Sequence, residues 1–382
     1  MNADFHYYAT YCAAILSGYS HEDSVDIAYS DRMVDHCTRT LLSIIKAPLN
    51  AATTQLQLEL MDARTDLVGL QDITRIWASF HFLPGDLHAE PPKRSGKRYK
   101  NKFRLICKPN GELLEHTVKL AKDKPVQAVG VAMHVLADTW AHQNFAGTPS
   151  MVINNTNNYF YELIPEGDGY REVKINFRHS TSTPDDLEKS IYTNSLNTNT
   201  ENHIMLLGHG RAGHLPDYCF IRYKYLPAWG EYEEIIKDNP SDYLHAFCQM
   251  ITAMKYLRGE TDRFERGQYD FSAIEPYRDE IDRILNKRQL DASQDWKALG
   301  EKLSGQAIPD FELEQYQGEY TSAADKDNTF LGRFITAALA QKSMVTHHIY
   351  QSGNKLAGYS IEANKKGLLW KLRSLTGGEA HE

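Results

Sequence analysis

The stretch VQAVGVAMHVLADTWAHQNFAG, residues 126–147, decides how the chain reads. His134, Asp138 and His142 stand four residues apart in it. On a helix, successive i, i+4 positions advance by only about 40° around the axis and about 6 Å along it, so the three side chains share one face. Around them lie Val129, Val131, Val135, Leu136, Ala137, Trp140, Ala141 and Phe145, the composition of a helix enclosed by core. Two imidazoles and a carboxylate in such company need partners, because burying them unpaired is costly. A divalent metal suits this ligand chemistry, and zinc takes the N/O mixture readily. A His–Asp–His hydrogen-bond ladder is the alternative open to this segment alone.

Helical spacing extends outward from that segment. Residues 22–46 carry Val25, Ala28, Tyr29, Val34, Leu41 and Ile45 along one side, with Pro48 as the stop. An amphipathic stretch follows at 50–79, another helix runs into Leu206–Leu207, and 242–258, 272–288 and 329–351 show the same period. Two insertions interrupt it, at about 85–118 and 150–200. The first contains a predicted hairpin over 102–118, turning at Pro109, Asn110 and Gly111 between Phe103–Cys107 and Leu113–Val118. The second is an irregular polar excursion with short strand-like pieces such as Tyr170–Phe177. The expected fold is therefore mostly α: a helical domain over 1–290 with an inserted hairpin and irregular loops, then a helical C-terminal extension over 291–382.

With 382 residues, 42% hydrophobic and 24% charged, the chain is globular. Its net charge of −8 argues against a general nucleic-acid binder. Five scattered cysteines, with no Cys-x-x-Cys pair, suit reduced thiols rather than a disulfide framework. The start MNADFHYY has no basic, apolar signal pattern, which predicts synthesis in the cytoplasm without a Sec leader and any export by a signal-independent route. No apolar run approaches the about 18 residues that a membrane span needs.

Further candidate ligands cluster in GHGRAGHLPD, residues 208–217, where three glycines permit tight turns and Pro216 stops a helix. His209, His214 and Asp217 can converge there. His6 follows Asp4 by two residues. Asp31 and Asp35 form an i, i+4 carboxylate pair, although Arg32 and Arg39 beside them also suit a solvated face. His81 sits in WASFHFLPGD, residues 77–86; alone, it reads as a core histidine.

The order of these fragments resembles the zinc-dependent phospholipase C superfamily, which includes the single-strand-specific nucleases. DTWAHQNFAG with GHGRAGHLPD is most similar to the Pseudomonas- and Legionella-type bacterial metallophospholipases C. The resemblance covers about residues 4–260. It implies a helical domain with a trinuclear zinc cleft, and a ligand set of His6, Asp35, His81, His134, Asp138, His142 and His209 with His214 or Asp217. Asp4 is a possible substitute for the processed N-terminus that holds one zinc in better-known members. Asp35 and Asp138 are the implied catalytic carboxylates: Asp35 bridges two zincs or orients the attacking water, and Asp138 balances zinc charge. Two to three Zn2+ ions follow.

Clustered zinc suits phosphodiester hydrolysis, since it activates water and stabilises charge on phosphate oxygens. Competing signatures such as His-Glu-x-x-His and Gly-x-Ser-x-Gly are missing. The basic run Lys93–Arg104, with Lys97 and Arg98 at its centre, suits anionic headgroups, a nucleic-acid backbone or simple solvation. Tyr218, Tyr223 and Trp229 suit either a cleft that holds a choline or base, or core. Three functions stay open: a phospholipase C acting on phosphatidylcholine or phosphatidylglycerol at a membrane surface, a zinc-dependent single-strand nuclease, and a non-catalytic protein stabilised by zinc.

Overall fold

A computed structural model describes residues 1–56, 67–178, 183–194 and 208–359. At its centre runs the helix Val126–Ala141, nearly all of whose residues are buried. It packs against His21–Met33 on one side and Asn239–Leu257 on another. Gly130 is the point of closest approach to the first of these. A Cβ there would stand 2.4 Å from the Ile27 carbonyl oxygen and 2.8 Å from the Asp31 amide nitrogen. The missing side chain thus lets two backbones touch one turn before His134. On the other side the Trp140 indole donates to Gln249 Oε1 at 2.9 Å, satisfying a polar atom that this packing buries.

The helix at residues 22–46 is shorter than its period predicts. Ser20 caps His21–Met33 by accepting from the Asp23 amide, the chain then turns, and Thr38 caps a second helix, Arg39–Ile44. Asp35 lies in the turn, not on a helix. The Asn239–Leu257 and Phe330–Gln351 helices fall where their spacing places them. Residues beyond 290, read above as an extension, share the main core: Trp296 packs against Phe5 and Phe247, and Phe334, Val345 and Ile349 are buried in the same cluster.

The expectation of a mostly α chain is corrected. Helix accounts for 49% and strand for 12%, which makes the fold mixed α/β. Strands β1 (Thr156–Glu166), β2 (Gly169–Lys174), β5 (Arg222–Pro227) and β6 (Ile235–Asp238) form an antiparallel sheet in the order β2-β1-β5-β6. Between them, β3 (Asn176–Arg178) and β4 (Ile191–Thr193) pair in parallel. Phe160 faces Tyr225 and Glu162 faces Tyr223 across β1 and β5. That face closes a second hydrophobic cluster with Phe82 and Phe145. The described part of the 150–200 excursion is therefore largely sheet.

The hairpin predicted over 102–118 is also overturned. Helices Lys97–Phe103 and Glu112–Leu120 occupy that region, with Asn110 at φ 61° in the turn between them. Leu113, Leu114, Thr117 and Val118 face the core at helical spacing, and Gly111 starts the helix. The helix expected to reach Leu206–Leu207, and part of the 50–79 stretch, lie outside the described residues.

Candidate metal centre

Five separate segments bring ring nitrogens and carboxylates together. His81 follows the helix Leu67–Phe80, and its Nε2 donates to the Thr54 carbonyl oxygen at 3.0 Å. Burial pushes the His81 pKa down, so the ring is neutral, and the donor role of Nε2 leaves Nδ1 with a lone pair. That nitrogen lies 3.1 Å from Asp138 Oδ2 and 3.3 Å from His134 Nε2. Asp35 Oδ1 is 3.9–4.0 Å from the same pair of nitrogens, while Arg32 holds the other oxygen of Asp35 at 2.7 Å. Acceptors turned on acceptors require a proton or a cation between them.

His142 repeats the arrangement. Its Nδ1 donates to the His81 carbonyl oxygen at 2.7 Å, and its Nε2 lies 3.0 Å from Asp217 Oδ1, so a hydrogen or a cation sits between them. His209 Nε2 lies 3.6 Å from Asp217 Oδ2, and burial pushes His209 down to about 4, so this ring too is neutral. Gly208 and Gly213 shape this loop. Both have positive φ, and a Cβ would meet the Phe82 ring at one and the Thr193 carbonyl at the other. Phe82 in turn stacks on His142, with centroids 4.6 Å apart.

Asp138 joins the two groups. Its Oδ1 takes the Met1 amino group at 2.6 Å and His6 Nε2 at 3.1 Å; the amino group is also 3.4 Å from Asp217. Burial alone would raise the carboxyls of Asp35, Asp138 and Asp217. The cationic groups around each hold all three well below the usual carboxylate range. Burial opposes protonation of His134 and of the Met1 amine, yet the same carboxylates raise His134 to about 10 and the amine to about 11. Three ionised carboxylates, with Asp31 beside them, thus face the protonated His134 ring and Met1 amine inside the cluster and the Arg32 guanidinium at its edge.

The donor set fits zinc. Zn–N bonds of about 2.0–2.1 Å in a tetrahedron put neighbouring donors about 3.3 Å apart. Asp35, His81 and His134 present their atoms within 4.8 Å of one another, and so do His142, His209 and Asp217. Backbone carbonyls take the outward N–H of His81 and His142, the support that metal-binding histidines usually have.

The remaining candidates lie elsewhere. His214 is exposed and belongs to neither group. Asp4 turns away: its oxygens accept from the Phe5 and Ala292 amides at 2.8 and 2.9 Å. The Tyr218 hydroxyl donates to Asp185, Tyr223 is wholly buried under the sheet, and the Trp229 indole donates to the Asn144 carbonyl. These three side chains are spent on packing and internal hydrogen bonds. Lys97 and Arg98 are exposed on a short helix, whereas Lys100 and Arg104 pair with Glu90, and Lys93 pairs with Glu231. A groove of 390 Å³ lined by Asp86, His88, Glu112, Arg266 and His348 contains none of the ligands. Sequence reasoning undervalued Asp31, which is fully buried here. Its neighbours Ile27, Ala28, Tyr29 and Ser30 are uncharged and buried, a signal against a solvated face.

Residues 1–349 match the family described as "Family of unknown function (DUF6765)", and the chain belongs to that family. No curated protein and no solved structure matches the chain.

Proposed function

We propose that the chain is a zinc-dependent phospholipase C that hydrolyses glycerophospholipids to diacylglycerol and a phosphorylated headgroup. The observation that carries this reading is the pair of ring nitrogens, His81 Nδ1 and His142 Nε2, turned on carboxylates by the hydrogen bonds that the other nitrogen of each ring makes to a backbone carbonyl. Asp35, His81 and His134 would hold one ion and His142, His209 and Asp217 another, with Asp138, His6 and the Met1 nitrogen between them. Zinc bound there would lower the pKa of a bound water and draw charge from the phosphate oxygens.

The chain's own groups divide the remaining work. Asp35, Asp217 and His209 have side chains 12–19% exposed, against 0–5% for Asp138, His134, His142 and His81, so substrate meets the cluster on their side. The Asp35 carboxyl, held far below the usual range and fixed by Arg32, is suited to orienting a water by accepting its hydrogen bond rather than to keeping its proton. In the reaction a water oxygen bonds to phosphorus and the bond from phosphorus to the diacylglycerol oxygen breaks. That oxygen takes a proton, and the phosphorylated headgroup departs. Arg211, two residues from His209, has a buried Nε without a hydrogen-bond partner among the described residues, in keeping with an anionic substrate. The choice of lipid rests on DTWAHQNFAG and GHGRAGHLPD, the segments that supply His142, His209 and Asp217.

The test is a substrate panel of phosphatidylcholine, phosphatidylglycerol, single-stranded DNA and RNA offered to zinc-loaded and chelated protein. Diacylglycerol and phosphocholine produced only with zinc support the proposal. Fatty-acid release, or nucleic-acid cleavage without lipid turnover, overturns it.

A further inference from the structure

We propose that Asp31, which the resemblance does not include among the ligands, is a positioning residue that holds two metal-binding histidines at once, His134 by a hydrogen bond and His6 by close contact; this rests on the metal reading above. Asp31 is completely buried on the helix His21–Met33. Its Oδ2 accepts from the Thr10 hydroxyl at 2.6 Å. Its Oδ1 lies 2.7 Å from His6 Nδ1 and 3.0 Å from His134 Nδ1. The two imidazoles stack with centroids 3.9 Å apart and 19° between their planes, so they present parallel edges.

A carboxylate only accepts, so His134 carries hydrogen on the Nδ1 that faces Asp31, and with zinc in the centre its Nε2 would be free for the metal. The Nε2 atoms of both rings point the same way, toward Asp138. His6 Nε2 is 3.1 Å from Asp138 Oδ1, and His134 Nε2 is 3.3 Å from Asp138 Oδ2. The contact to His134 is a well-formed hydrogen bond. The His6 contact is short but off line, since His6 Nδ1 completes no hydrogen bond. Asp31 therefore grips His134 more firmly than His6. Thr10, on a different helix (Thr10–Leu16), fixes the free oxygen and hence the plane of the carboxylate. One buried carboxylate with one hydroxyl behind it thus orients the histidines of two neighbouring positions in the centre.

The role is tested with Asp31→Asn, which keeps the shape, and Thr10→Val, which removes only the hydroxyl behind Asp31. Zinc affinity is measured by competition with a chromophoric chelator, metal equivalents at saturation by elemental analysis, and ligand geometry by the visible spectrum of cobalt-substituted protein. Loss of the outer partner of a ligand weakens metal binding by about 10–100-fold, and that is the expected loss in Asp31→Asn, with a smaller one in Thr10→Val. Saturating equivalents and the cobalt bands stay those of the parent protein. Affinity within about two-fold of the parent in Asp31→Asn overturns the role, as does the loss of a whole equivalent with a changed cobalt spectrum, which would make Asp31 a direct ligand. Should Asp31→Asn not fold, unchanged affinity in Thr10→Val overturns the role by itself. A parent protein that takes up less than one equivalent overturns the metal centre itself, and this role with it.

Discussion

Replacing Gly130 by Ala puts one methyl group where the two central helices touch. On an exposed helix that change would stabilise by about 1 kcal/mol, because Ala is the better helix former. Here the new Cβ would lie 2.4 Å from the Ile27 carbonyl oxygen, 2.5 Å from Ser30 Cβ and 2.8 Å from the Asp31 amide nitrogen. Two of those three atoms are backbone, so no rotamer change relieves the clash. Restoring van der Waals separation needs a shift of about 1 Å between the helices, and forced overpacking costs about 1–3 kcal/mol. The sign therefore reverses, to a net loss of up to about 2 kcal/mol. The shift also separates Asp31 and Asp35 from His134 and Asp138, and a site must hold its groups to about 0.5 Å. Chemical denaturation of the chelated protein reads the stability, and a zinc titration reads the centre. Expected are a lower midpoint and weakened zinc binding together. A variant as stable as the parent with undiminished zinc affinity would refute the idea that Gly130 sets the approach of these helices.

Three further outcomes follow from the same geometry. Asp138→Asn keeps the side-chain shape but removes the charge shared by Met1, His6, His81 and His134, so turnover should fall by orders of magnitude with the far-ultraviolet spectrum unchanged; near-parental turnover would remove Asp138 from the centre. In the chelated protein, His134 is raised from 6.5 to about 10, so its stabilisation is complete below pH 6.5 and is lost as pH rises toward 10; His209 is lowered from 6.5 to about 4, so protonation of the unfolded chain erodes stability as pH falls from 6.5 toward 4. The Tm should therefore peak near neutrality and decline on both sides, and a Tm that climbs steadily to pH 9 would contradict these shifts. Neutralising Lys97 and Arg98, exposed on their short helix, should slow action on anionic vesicles more than on short-chain soluble lipids, because only vesicles carry a surface potential; equal slowing on both would place these residues outside membrane contact.

Much of the cluster could be read from the sequence because its histidines and carboxylates obey short-range rules. His134, Asp138 and His142 share a helix face through spacing alone, and the glycines around His209 signal a loop that brings side chains close to a neighbour. Asp31 was harder. Its i, i+4 relation to Asp35 is equally that of a solvated face, and only the tertiary packing of Gly130 against Ile27 buries it. The Met1 nitrogen carries no side-chain signal at all. The sheet was missed for a different reason: Arg222, Tyr223, Lys224 and Tyr225 alternate with the strand period, but their aromatic rings suited a cleft equally well. The false hairpin came from the turn chemistry of Pro109, Asn110 and Gly111, which here leads into a helix. Asn110 and Gly111 are as compatible with a helix start as with a strand reversal.

The central claim is that these histidines and carboxylates form a multinuclear zinc centre. Elemental analysis after zinc loading and exhaustive dialysis tests it most directly. The account predicts two to three tightly held equivalents per chain, falling by at least one in a variant with both His142 and His209 replaced by Ala. Less than one equivalent in the parent chain, or equal zinc in parent and variant, would contradict it.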